Sequence, residues 1–350
     1  MNVCGCQVYL KTRIKILSGQ LLNEQEIPEL LQIPLPDLAD RVALKPLLEN
    51  QDPQQIGALL ERSMLHLLML EFSILLRPMA SKARELLLYW SRKFELYNLK
   101  TLIRGKLNGL GIETIRNDLY DLPDNIRLPH ETLLHAENVL EMLRLLENGP
   151  YATIARQARQ VYEEKNESFS LDAAIDRLYY SGLARYVQTT DVSDKPGLHH
   201  LVSTLIDRQN ILWLLRYRFA YHFAPSKAYY LLISSGGYLN RQRLMELSNL
   251  GSFDSLIENL PTTYSRLLRG AGNSMQIRQQ LDLHVSREAH KLLRHSPCVV
   301  VASLAYMIAR EKDLRRLFAI IQGRLLELDQ AVIEEAVAAP VMQQPLELAS

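Results

Sequence analysis

Three stretches of this chain can be laid over one another with several features in step, and no other feature restricts its possible folds as much. They are Phe94-Glu95-Leu96-Tyr97-Asn98-Leu99, Ile206-Asp207-Arg208-Gln209-Asn210-Ile211 and Lys312-Asp313-Leu314-Arg315-Arg316-Leu317. Each carries an acid three residues before a reference position (Glu95, Asp207, Asp313), a polar residue at it (Asn98, Asn210, Arg316) and a base eight residues after it (Lys106, Arg218, Arg324). Apolar pairs lie between them at Leu102-Ile103, Leu214-Leu215 and Ile320-Ile321. The upstream pairs Ile175-Asp176 and Leu281-Asp282 keep the same interval to their reference positions, and Glu61 is a looser equivalent. A leucine-rich helical chain self-aligns somewhere by chance, but not with several elements in register. A repeat of roughly 110 residues predicts a fold built from copies of one unit.

Apolar residues recur at spacings of three and four throughout, and β-branched alternation is scarce, which predicts an all-α chain. Helices are expected over Ile56–Leu76, Ala80–Leu107, Glu131–Leu146, Leu171–Tyr186 and Leu198–Tyr221, each burying one face. Pro123 and Pro129 mark a polar connector, Pro196-Gly197 and Pro225 break later helices, and Ser234 to Gly237 form a turn. Asn108-Gly109 reads as a helix end closed by a left-handed residue. With the repeat, this punctuation divides the chain into helical units 1–122, 123–226 and 227–338, followed by a flexible tail at 339–350.

The 350 residues hold 47% hydrophobic residues, ample for a core, and 40 Lys and Arg against 39 Asp and Glu. No global field favours nucleic acid or an anionic membrane as partner. Cys4, Cys6 and Cys298 lack the paired spacing of a disulfide framework or a zinc site, which suits a reducing, cytoplasmic setting. Lys11, Arg13 and Lys15 interrupt the N-terminal apolar pattern, so export is not expected. The most apolar stretches, Leu65 to Leu76 and Cys298 to Ala309, fall short of the ~20 residues that span a bilayer.

On one helix the shared acid, apolar pair and base occupy one broad sector, and Arg104 and Arg216 project to the other side. Acid and base lie eleven residues apart, roughly 16 Å along a helix, too far to pair within it. They are expected to make polar contacts between neighbouring helices or units. Arg104 and Arg216 are candidates for a partner surface.

Catalytic chemistry finds no support. Gly270-Ala271-Gly272-Asn273-Ser274 lacks the lysine of a phosphate loop. His284, Glu288 and His295 share a helical face, but the last two lie roughly 10 Å apart, too far for one ion. His199-His200, His130 and His135 lack converging partners and read as solvated or capping residues. Glu163-Glu164 and Glu334-Glu335 point apart on a helix, and no nucleophile elbow occurs. No catalytic centre, cofactor or metal is expected.

The segment Tyr97-Asn98-Leu99-Lys100-Thr101-Leu102-Ile103-Arg104-Gly105-Lys106 resembles an N-[LI]-K-x-[LI]-[LI]-R-[GA] signature found in the central-stalk cap of V/A-type rotary ATPases. That cap is named the C subunit in prokaryotic enzymes and the d subunit in the vacuolar enzyme. The resemblance continues through Leu171 to Tyr180, Asp207 to Ile211 with Arg216, Ile233 to Leu239, and Arg310 to Leu317 with Ile321 to Arg324, and so covers most of the chain. Arg316 departs from it, standing where the family usually has Asn, and the N-terminal unit with Cys4-Gly5-Cys6 starts abruptly. The resemblance implies three similar helical bundles around a pseudo-threefold axis, forming a funnel. It also implies a non-catalytic adaptor that joins the central shaft to the membrane proteolipid ring and transmits torque for ATP-coupled proton or sodium transport. Such an adaptor would touch the membrane only through the ring, at its cytoplasmic face, and would be monomeric by itself. A helical-repeat scaffold of an unrelated soluble assembly is the alternative.

Overall fold

The computed structural model describes residues 3–41, 53–165, 167–234 and 236–338. The side chains of Cys4 and Cys6, residue Ser235 of the expected turn, and the 339–350 tail lie outside the described residues. Among the described residues the chain is helical throughout, with no strand. It divides into two compact units, one formed by residues 1–81, 192–197 and 275–350, the other by 82–191 and 198–274. The boundaries expected at 122/123 and 226/227 both fall inside the second unit.

The first unit is built around the Val299–Leu325 helix, which packs on Pro53–Leu76, Gln330–Ala338, Val3–Ser18 and Leu35–Arg41. Its first three turns are apolar on every side, and Val301, Leu304, Ala305, Met307 and Ala309 are all buried, as a helix surrounded by others requires. A buried polar cluster enters this core between two helices. Tyr306 donates to Glu71 Oε2 at 2.6 Å, and the Arg310 Nη2 lies 3.0 Å from Glu71 Oε1. Burial together with the Glu71 charge pushes the Tyr306 phenol far up. Gly323 brings a short helix close: a Cβ there would lie 2.7 Å from Ile333 Cγ1.

In the second unit, Ser81–Leu107 meets Ser168–Thr189 through Tyr89 and Tyr179, whose rings stack 5.6 Å apart. Tyr179 donates to the Trp90 carbonyl at 2.8 Å, so its buried hydroxyl is satisfied. A glycine is required opposite: a Cβ on Gly182 would sit 1.8 Å from the Tyr89 hydroxyl. Ala152–Lys165 packs along Ser168–Thr189, and shorter helices fill the remainder of this unit.

The long helices fall where the periodicity places them. The helix expected over Glu131–Leu146 is instead split into His130–His135 and Val139–Leu145, with a 3-10 turn at Leu146–Asn148. Asn138 causes the break. Extended at φ −151°, it accepts the Glu141 amide and caps the second helix, a role that competes with continuing the first. Pro196 and Pro225 sit in the first turns of the Lys195–Leu215 and Pro225–Tyr230 helices, where the missing amide costs nothing, so they begin helices rather than break them.

Candidate functional site

The repeated residues converge on one recurring task, fastening a loop backbone to a long helix. Asn98 is fully buried, and its amide closes a two-bond bracket on one peptide: the Tyr120 N–H donates to Oδ1 at 2.8 Å and Nδ2 donates to the Tyr120 carbonyl at 2.9 Å. Asn210 repeats the bracket on Ile233, at 2.9 and 2.6 Å. The acids lie one turn earlier. Glu95 accepts the Leu128 N–H at 2.6 Å and contacts His130 Nε2 at 2.6 Å. Asp207 accepts the Tyr264 hydroxyl at 3.1 Å. Both carboxylates are buried, and these donors replace their lost water.

In the third copy the fastened backbone comes from the other end of the chain. Asp313 accepts the Leu22 N–H at 2.8 Å. Arg316, standing where the other copies have Asn, forms a two-pronged pair with Glu24 at 3.0 and 2.9 Å. The polar residue at the reference position thus changes from an amide bracketing a peptide to a guanidinium bracketing a carboxylate. Arg and carboxylate match in geometry as two amides do.

The bases act at the helix ends. Arg218 donates to the carbonyls of Ser248 (2.8 Å), Phe223 (2.6 Å) and Leu250 (3.1 Å). Arg324 donates to those of Leu30, Leu31 and Ile33. Both satisfy the orphan carbonyls that end a short helix. Lys106 is half-buried and makes no such bond among the described residues, because an ammonium lacks the planar fork that spans several carbonyls. Shortly after each base the chain takes a left-handed residue, at Gly109 (φ 65°), His222 (φ 53°) and Glu327 (φ 52°).

Among the described residues Glu95 and Asp313 are held by backbone amides, and Glu95 by a histidine as well, rather than by the repeated bases. Glu95 is bonded to His130 and to Leu128, and two of the bases, Arg218 and Arg324, bind backbone. His130, expected to be a solvated or capping residue, is the imidazole partner of a buried carboxylate. Nothing in its neighbourhood along the sequence signals this, since Glu95 lies 35 residues away. Leu22, Glu24 and Tyr264 were equally invisible as partners.

Neither Arg104 nor Arg216 is fully exposed; both are half-buried. Arg104 lies beside Asp172, with Lys100 paired to Asp176 close by. Burial lowers the Arg104 guanidinium and raises the Asp172 carboxyl, each partly offset by the opposite charge. Arg104 Nη2 and Asp172 Oδ1 are buried without a hydrogen bond. Among the described residues no group of His, Cys, Asp and Glu is placed to hold a metal ion, and Cys298 is a buried free thiol.

A constellation that binds its own backbone holds a shape. Along most of its length the chain is similar to known proteins. The C subunit of the A-type ATP synthase of Haloquadratum walsbyi is 25% identical over 360 residues, covering 96% of this chain and 99% of that protein. Its namesake from Methanocaldococcus jannaschii is 22% identical over 337 residues, covering 91% and 83% respectively. That of Thermococcus onnurineus is 26% identical over 326 residues, covering 89% and 84%. The sequence model of the family described as ATP synthase (C/AC39) subunit matches residues 10–336, so this chain belongs to that family.

Proposed function

We propose that the chain is the adaptor between the rotating central shaft of a V/A-type ATPase and its membrane proteolipid ring, passing torque between them. As a member of its family it is an accessory part of a rotary ATPase, not a catalytic one. The observation that carries the reading is the family match across residues 10–336. The three fastened helix ends support it physically. Torque is lost in any part that bends, and buried brackets between helix and loop oppose bending where a loop would otherwise swing freely.

In this reading three helical copies surround a pseudo-threefold axis as a funnel that receives the shaft tip. The chain sits at the cytoplasmic face, and no helix among the described residues is long and apolar enough to cross a membrane, so attachment runs through the ring. Arg104 and Arg216 would then serve as supports for the partner surface rather than as its exposed contacts.

The test is affinity purification of the tagged chain from detergent-solubilised host membranes. Proteolipid and a coiled-coil shaft protein recovered in constant ratio are the expected outcome. A bare chain in the eluate, with those components detected in the same membranes, would overturn the reading.

A further inference from the structure

The first unit contains a cleft of about 810 Å³ between the Val3–Ser18 and Ser274–His295 helices, closed by residues 21–24 and by the start of Val299–Leu325. Its charges are one-sided. Lys11 and Lys15 line one wall, and Arg287, His290 and Arg294 line the other. Glu24 is the one acid in the lining, and it is already held by Arg316 at 2.9 Å and Lys312 at 3.6 Å. Among the described residues Lys11, Lys15, Arg287 and Arg294 form no ion pair. The whole chain carries a net charge of only +1. All four are exposed, so water screens much of their repulsion, and Arg294 also donates to the His290 carbonyl at 3.3 Å; like charges at i and i+4, as at Lys11 and Lys15, still repel. A cleft lined by one sign of charge also focuses its field on the interior.

The lining also holds the apolar side chains Ile14, Leu21, Leu22, Leu293, Val299 and Ala302. It is also fixed in place: the Leu22 amide is bonded to Asp313, and the His290 ring is oriented by Nδ1 donating to the Ser286 carbonyl at 2.8 Å. The volume lies within the range of small-molecule sites, which are typically about 300–1,000 Å³. Cations and apolar side chains lining one cleft suit a ligand with a compact anionic head and a greasy body. Two arginines favour a phosphate as that head, because their planar forks match its oxygens.

We propose that this cleft binds a phosphate ester bearing an apolar or aromatic body, with Lys11, Lys15, Arg287 and Arg294 around the phosphate and Ile14, Leu22 and Leu293 beneath the body. The site is independent of the adaptor role and stands or falls separately from it.

Titration calorimetry of the full chain at physiological salt tests this with three probes: dioctanoyl phosphatidic acid below its micelle threshold, 1-naphthyl phosphate, and inorganic phosphate. At least one ester is expected to bind, at least about tenfold more tightly than inorganic phosphate. Arg287→Ala with Arg294→Ala, and separately Lys11→Gln with Lys15→Gln on the opposite wall, should each weaken it about tenfold or more; Arg241→Ala in the other unit should leave it unchanged. Tighter binding of the lipid identifies a membrane source, and tighter binding of the aryl ester a soluble one. No ester binding, undiminished binding by both double variants, or inorganic phosphate binding as tightly as the esters would each overturn the proposal.

Discussion

At the scale of single residues, Lys312 shows burial and charge opposing each other. Burial, helped by the Arg316 charge, pulls its ammonium down to about 8 from 10.5, while Glu24, Asp282 and Asp313 resist. Its Nζ is buried with no hydrogen bond, the nearest carboxylate oxygen lying at 3.6 Å. Because the folded value is the lower, the unfolded chain holds the proton more tightly. Stability from this group is present above about 10.5 and lost as pH falls through about 8, so the full cost of the charge is borne at pH 7. Lys312→Met is expected to raise stability at pH 7 by about 1–3 kcal/mol, with the gain shrinking toward pH 10. Urea midpoints across that range check it, and parallel curves for the two proteins would refute it. The neighbouring Asp313 runs the other way. Burial lifts it to about 6, so its contribution is present below about 3.8 and lost as pH rises through 6. Sequence marked Asp313 through its spacing. Nothing in the sequence marked Lys312 as strained, since burial depends on which helix lies opposite.

At the scale of elements, the three long helices share an ending. The Leu110 amide donates to the Gly105 carbonyl at 2.9 Å, and the Leu328 amide to that of Gly323 at 2.9 Å, the bond pattern that accompanies a left-handed closing residue. In the second copy the ending widens into a π-helical turn over Arg216–Ala220, and the Phe223 amide donates to the Tyr217 carbonyl at 2.8 Å. Gly109 adopts its positive φ without strain, whereas Glu327, exposed and at φ 52°, does not. Glu327→Gly should therefore stabilise the protein by about 0.5–1 kcal/mol and Gly109→Ala should destabilise it by about the same or more. Thermal midpoints check the pair, and shifts of the same sign would contradict the shared geometry. Of the three endings only Asn108-Gly109 was legible in sequence, because glycine advertises the conformation and histidine and glutamate do not. The split at Asn138 escaped for a related reason: the apolar spacing runs through the break, and only the cap geometry reveals it.

At the scale of the whole molecule, the third copy depends on a segment far away in the chain. Asp313, Arg316 and Arg324 hold residues 22–33, some 291 to 294 positions earlier, as Asn98 and Asn210 hold segments 22 and 23 positions later. Arg324→Ala is expected to speed amide hydrogen exchange at residues 22–33 about tenfold or more, while the Tyr120 and Ile233 amides keep their protection. Unchanged exchange in 22–33 would show that the packing of Leu30 and Leu38, both buried, holds that segment without the arginine. The helical class and the family could be read before folding, because periodicity and spacing are properties of the chain as written. What the acid, amide and base positions grip emerged only from the folded chain. A backbone amide or carbonyl is the same group at every residue, so the partner of a buried bracket leaves no mark in composition, and the N-terminal segment shows its place in the third copy only once the chain has folded.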